Sequence, residues 1–125
     1  MSVRVVNLAE KFAAFTEHYA PKIAGEVNDS HIKLVKLKGE FMWHHHDVED
    51  ELFLVVKGLL RMKIREEGVE REMEIRAGEL VIIPHGMEHF PSSDEETQVM
   101  LIEPNTTLNT GNVHNERTHE RLENV

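Results

Sequence analysis

Three consecutive histidines, His44, His45 and His46, stand just ahead of Glu51 in Gly39-Glu-Phe-Met-Trp-His-His-His-Asp-Val-Glu-Asp-Glu-Leu-Phe-Leu-Val-Val-Lys-Gly58. A second stretch, Gly78-Glu-Leu-Val-Ile-Ile-Pro-His-Gly-Met-Glu-His-Phe-Pro91, carries His85 and His89. Five of the chain's nine histidines fall in these two stretches. Imidazole nitrogen and carboxylate oxygen are ligands for divalent transition ions. The chain has no cysteine, so disulfides, thiolate zinc sites, cysteine nucleophiles and iron–sulfur clusters are excluded. The chemistry open to these residues is a nitrogen-and-oxygen metal centre.

Spacing decides which residues can meet. On a strand, alternate side chains share a face. His44 and His46 then point the same way as Met42, while Phe41, Trp43 and His45 point the other way. The residues from Asp47 to Asp50 let the chain turn and return Glu51 beside the two imidazoles. In the second stretch Gly78 opens a strand and Pro84 closes it. Gly86 permits a turn at positive φ, and His89 begins the returning strand as a third imidazole. The ligand set read from spacing is His44, His46, Glu51 and His89. A slip of one residue would select His45 and Asp47, turn Met42 out and drive Phe41 and Trp43 in. His85 sits in a turn and is expected to be exposed; with Glu51 it is one of two candidate catalytic bases.

The elements that position these residues are short. Leu8, Phe12, Phe15 and Tyr19 form a helical stripe with Asn7 as N-cap and Pro21 as terminator. From Lys22 onward short apolar runs alternate with turn residues: 22–27, 32–38, 41–46, 51–56, 59–65, 69–75, 80–83 and 99–102. Glu67-Gly68 reads as a tight hairpin turn, and the polar run from Ser92 to Gln98 reads as a loop. Leu60, Met62 and Ile64 share an inner face, with Arg61, Lys63 and Arg65 opposite. Phe41, Trp43, Leu52, Leu54 and Val56 read as an apolar outer patch, which predicts a homodimer. The expected class is all-β and antiparallel, a sandwich or barrel with a short N-terminal helix. The expected division is a helical segment 1–21, a β-barrel 22–104 and a polar tail 105–125. The tail is poor in core-forming residues, and its composition leaves surface wrapping, exchange with a neighbour and partial disorder all open.

Composition narrows the partners. The chain has 125 residues, 40% hydrophobic and 30% charged, the range of one soluble globular domain. Lys and Arg number 14 against 23 Asp and Glu, a net charge of −9. Such a surface repels nucleic acid and anionic membranes, so neither is an expected partner. No apolar run reaches bilayer length and no signal-peptide pattern opens the chain, so a cytoplasmic location is expected.

The two histidine stretches resemble the two motifs of the cupin family. Gly39, His44, His46, Glu51 and Gly58 match the first, with Gly39 one residue closer to the first histidine than usual. Gly78, Pro84, Gly86 and His89 match the second, whose final Asn is replaced by Ser93. The similarity runs from about Lys33 to Pro104. It implies a double-stranded β-helix, or jelly-roll barrel, holding one divalent transition metal per subunit on His44, His46, Glu51 and His89. Family metals include iron, manganese, nickel, zinc and copper. It further implies a metal-dependent dioxygenase or isomerase acting on a small enol, keto or sugar-type substrate, or else a non-catalytic cupin that binds or senses a small ligand or metal. A structural or storage role fits less well, because storage cupins tend to lose these ligands.

Overall fold

The computed structural model describes residues 3–125. Its elements are α1 (Leu8–Ala13), β1 (Lys22–Val27), β2 (Ser30–Glu40), β3 (Glu51–Lys57), β4 (Leu59–Glu66), β5 (Val69–Arg76), β6 (Leu80–Ile83) and β7 (His89–Pro104). All strand pairings are antiparallel. The order is β1-β2-β7-β3-β6, with β4 between β5 and the start of β7. β7 thus joins two halves. Its first residues pair with Arg61–Ile64 of β4, and its last lie between β2 and β3. The sheet folds over on itself as the expected jelly roll, and its hydrogen-bonded ring stays open.

The expected loop 92–98 is instead the middle of β7. Its polar residues serve the corner where β7 passes between the halves. The register against β2 shifts between Leu37 and Gly39, a bulge that bends the strand. Ser93 and Thr97 are buried there. Ser93 Oγ lies against Thr97 Oγ1 and within 2.8 and 2.7 Å of the Leu59 and Glu95 carbonyls, which the two hydroxyls share as acceptors. Gly58, at φ 98°, packs so closely on Thr97 that a Cβ would overlap its hydroxyl. Glu67 and Gly68 both take positive φ and close the β4–β5 hairpin in two residues, as read from sequence.

Strand alternation fills the interior. Leu60, Met62 and Ile64 are buried, as are Phe53 and Val55 of β3, Val35 and Leu37 of β2, and Val99 and Leu101 of β7. The helix is shorter than the stripe predicts. Asn7 caps it, its side chain accepting from Glu10 N at 3.0 Å. The chain then leaves the helical path, and Tyr19, at φ 55°, donates its N–H to the Lys36 carbonyl at 2.8 Å. Phe12 and Phe15 still bury against Leu34 on the outside of β2.

Residues 41–46 form no regular strand. A single bridge pairs His44 with His89. The simple alternation of faces therefore fails at its start. Phe41 turns inward and stacks on Tyr19, ring centroids 4.7 Å apart. Trp43 lies elsewhere, beneath the Arg65 guanidinium at 3.8 Å and beside Phe90. The predicted outer patch thus loses both aromatics and keeps Leu52, Leu54 and Val56, joined across β6 by exposed Leu80 and Ile82. The tail packs on the barrel: Thr107 and Thr110 are buried, and Glu123 and Val125 bond to the backbone of Ile23. No helix among the described residues is long and apolar enough to cross a membrane.

Candidate metal centre

His44, His46, Glu51 and His89 converge inside the barrel. All four are buried, and one candidate ligand atom from each lies within 4.8 Å of the others. Glu51 opens β3 and His89 opens β7, so the two strand starts aim them inward. His44 is placed by its bridge to His89: His44 N–H to His89 O at 3.1 Å, and His89 N–H to His44 O at 2.9 Å. Gly86, at positive φ, donates its N–H to the His46 carbonyl at 2.7 Å. Nδ1 of His44 lies 3.0 Å from the Met42 carbonyl, and Nδ1 of His89 lies 3.0 Å from that of Met87. A carbonyl only accepts, so both rings carry their proton on Nδ1 and present an Nε2 lone pair inward.

The donor set fits a cation. Glu51 Oε1 faces His46 Nε2 at 3.4 Å and His89 Nε2 at 3.3 Å. These three atoms are buried with no hydrogen-bond partner among the described residues. Buried polar atoms are ordinarily paired, and orphans that converge on one point match the demand of a divalent ion. Burial, then the neighbouring His89, pushes the His44 pKa down to about 3, which keeps the ring neutral and able to ligate.

Behind Glu51 lies a charged pair that sequence reasoning missed. Lys33 Nζ donates to Glu103 Oε1 at 2.7 Å, with both side chains 1% exposed. It also reaches the Thr107 carbonyl at 3.4 Å. Burial, then the charge of Glu51, raises the Glu103 carboxyl well above the usual range. Burial acts on Glu51 in the same sense, but its contacts with Glu103, His46 and His89 outweigh it and hold Glu51 low. The signal was in the alternation. Lys33 shares parity with Val35 and Leu37, and Glu103 with Val99 and Leu101, which places both charges on the inner face.

A small cavity of about 40 Å³ adjoins the cluster, lined by His44, Glu51, Phe41, Phe53, Glu103 and the tail residue Asn109, among others. That is room for a few waters. His85 does not join the cluster. Its side chain is 61% exposed, and its Nδ1 and backbone N–H both meet Asp50 Oδ1 at 2.9 Å. His45 also stays outside, its ring between Asp47 at 2.9 Å and Glu88 at 3.3 Å.

A cupin-domain family model matches residues 33–105, most of the chain and both histidine stretches. The chain belongs to the cupin family. This cupin is 42% identical to a cupin-2 domain-containing protein of Shewanella frigidimarina, over 80% of this chain and 94% of that one, with a TM-score of 0.75. It is 35% identical to the uncharacterised protein YdbB of Bacillus subtilis, over 70% of this chain and 74% of YdbB. To a 3-hydroxyanthranilate 3,4-dioxygenase of Xanthomonas euvesicatoria it is 33% identical over 60 residues, 48% of this chain and 34% of the dioxygenase. The chain thus spans about a third of that enzyme's length.

Proposed function

We propose that this cupin is a metal-dependent enzyme of dioxygenase type, acting on a small oxygenated substrate of enol or keto character. One divalent transition ion would be held by His44, His46, Glu51 and His89. The observation that carries this reading is the convergence of three unpartnered, fully enclosed donor atoms beside an apolar cavity. The limited similarity to a dioxygenase favours oxygen chemistry over isomerisation.

A divalent ion bound there supplies Lewis-acid polarisation of a substrate oxygen. The chain's own residues do the rest. Phe41, Phe53 and Leu101 give the cavity an apolar wall that limits it to a few waters. Glu51 is the base candidate within the site once it loosens from the ion, because its buried Oε1 is otherwise the ligand atom among the three imidazoles. His85, engaged by Asp50 outside the cavity lining, is in no position to take a proton from a substrate seated there. The cavity is too small for an aromatic ring, so a larger substrate requires Phe41 or the tail to give way.

The test is metal content followed by oxygen consumption. The purified protein, loaded anaerobically with iron(II), manganese(II) or nickel(II), is offered ortho-aminophenolic and enediol substrates in an oxygen electrode. Uptake that vanishes in His89→Ala supports the reading. Stoichiometric metal with no uptake for either class favours the alternative, a cupin that binds a metal or small ligand without turnover. Absence of stoichiometric metal would refute both.

A further inference from the structure

We propose that the C-terminal tail is a working part of the metal centre, with Asn112 as the residue that positions His44 and His46. This rests on the reading that the histidine–glutamate cluster binds a divalent ion.

Residues 41–46 lack the ladder that would hold a strand in place, so each ligand's backbone needs its own anchor. His44 has one in the bridge to His89, and His46 has one in the Gly86 N–H. The peptide groups between them belong to His45, and the tail supplies their partner. Asn112 Oδ1 accepts the His45 N–H at 2.8 Å. The Asn112 N–H donates to the His45 carbonyl at 3.0 Å. One side chain and one backbone group thus close a two-point clasp on the residue between two ligands.

The neighbouring residue shows how tightly the clasp is seated. Gly111 has φ 58°, and a Cβ there would overlap the His45 carbonyl oxygen and press on Cδ2 of His44 at 3.2 Å. The tail therefore passes so close to a ligand ring and to the backbone beside it that only glycine fits there. The turn carrying Gly111 and Asn112 is pinned from behind. Val113 N–H donates to the Thr110 carbonyl at 3.0 Å. Thr110, fully buried, donates its hydroxyl to the Val113 carbonyl at 2.5 Å and meets the Thr118 hydroxyl at 2.7 Å. A surface segment that only covered the barrel would not need such close registry with one peptide.

Partners that orient ligands typically alter metal affinity about 10–100-fold when removed. The experiment uses the full chain with cobalt(II), whose visible absorption reports coordination geometry as well as occupancy. Asn112→Ala should raise the cobalt dissociation constant about tenfold or more and alter the band. Asn112→Asp, which keeps an acceptor at the same reach, should restore affinity to within threefold of the native protein. Asn115→Ala removes tail contacts to the Met42 sulfur at 3.4 Å and to the Arg117 N–H at 2.9 Å, neither of them on His45, and should leave cobalt affinity within threefold of native. Asn112→Ser, whose hydroxyl falls short of His45, must move in the same direction as Asn112→Ala and stands in for it should the alanine variant fail to fold. Native affinity and spectrum in the folded alanine or serine variant would overturn the proposal while leaving the metal reading intact. If the native chain binds no cobalt, or His44→Ala binds as well as native, the metal reading itself falls.

Discussion

Lys33→Met removes the cation that faces Glu103 and, through it, Glu51. Lys33 and Glu103 are each 1% exposed and 2.7 Å apart, so solvent cannot replace the lost partner. A buried hydrogen bond to a charged group contributes about 1.5–3 kcal/mol, and breaking a buried ion pair on one side costs about 3–5 kcal/mol. The raised affinity of Glu103 for a proton softens the ionic limit, because a protonated carboxyl survives without a counter-charge. About 3 kcal/mol is therefore expected. An unfolding entropy of roughly 2.1 cal/mol/K per residue turns this into a fall in Tm of about 10 °C for a chain of this length. The assay is calorimetry of the metal-free protein at neutral pH, with Glu103→Gln and the double variant completing a cycle. Lys33→Met with Glu103→Gln leaves no unpaired charge and should recover more than half of the loss. A drop under about 2 °C for Lys33→Met, or a double variant worse than both singles, would show that the pair carries no such weight.

Three further expectations follow from other parts of the molecule. His44→Ala, His46→Ala and His89→Ala should each lose most bound metal after dialysis against a mild chelator, and Glu51→Ala should weaken it, whereas His45→Ala should stay near full occupancy; an emptied His45→Ala site beside a full His44→Ala site would overturn the assignment. The His44 pKa is depressed from 6.5 to about 3, so the unfolded chain binds the extra proton first and stability present above about pH 6.5 is lost on acidification. The unfolding free energy of the metal-free protein, from urea titration, should fall between pH 6.5 and 5 by roughly 2 kcal/mol from this group, and a slope equal to that of His44→Gln would rule the group out as its source. The apolar face of Leu52, Leu54, Leu80 and Ile82 leads us to expect a homodimer of twice 14.5 kDa in light scattering, with Ile82→Glu monomeric; a native monomer at tens of micromolar would refute it.

The parts of this molecule that were legible in sequence are those governed by local rules. Alternation within β4 and β3 sorted Leu60, Met62 and Ile64, and Glu51, Phe53 and Val55, onto the buried face. The paired positive-φ turn at Glu67-Gly68 needs only two residues to specify it. The four cluster residues came from spacing within two short stretches, and the fold brings them together. Alternation misled where its premise failed. Phe41 lies in a stretch without a ladder, so nothing holds it to strand parity, and it stacks inward on Tyr19. Ser92–Gln98 looked like a loop because its residues are polar, yet their hydroxyls satisfy backbone carbonyls at a corner, a task that polarity suits.

The tail marks the boundary of such reading, and the reason is physical. Asn112 and His45 are 67 residues apart in sequence, and on the His45 side their contact is made by peptide groups that every residue possesses, met by the side-chain oxygen and the backbone N–H of Asn112. No composition or period distinguishes a peptide that will be clasped from one that will not. What sequence does show is a glycine followed by an asparagine in a polar segment, a pattern shared with any exposed turn. Only the fold reveals that Gly111 rests on a carbonyl between two ligands, where a methyl group has no room. The ligands and their supports are thus encoded differently. Histidine and glutamate are chosen for their side-chain chemistry and leave a visible motif. The groups that hold them are chosen for shape and backbone reach, and they can sit anywhere the chain passes.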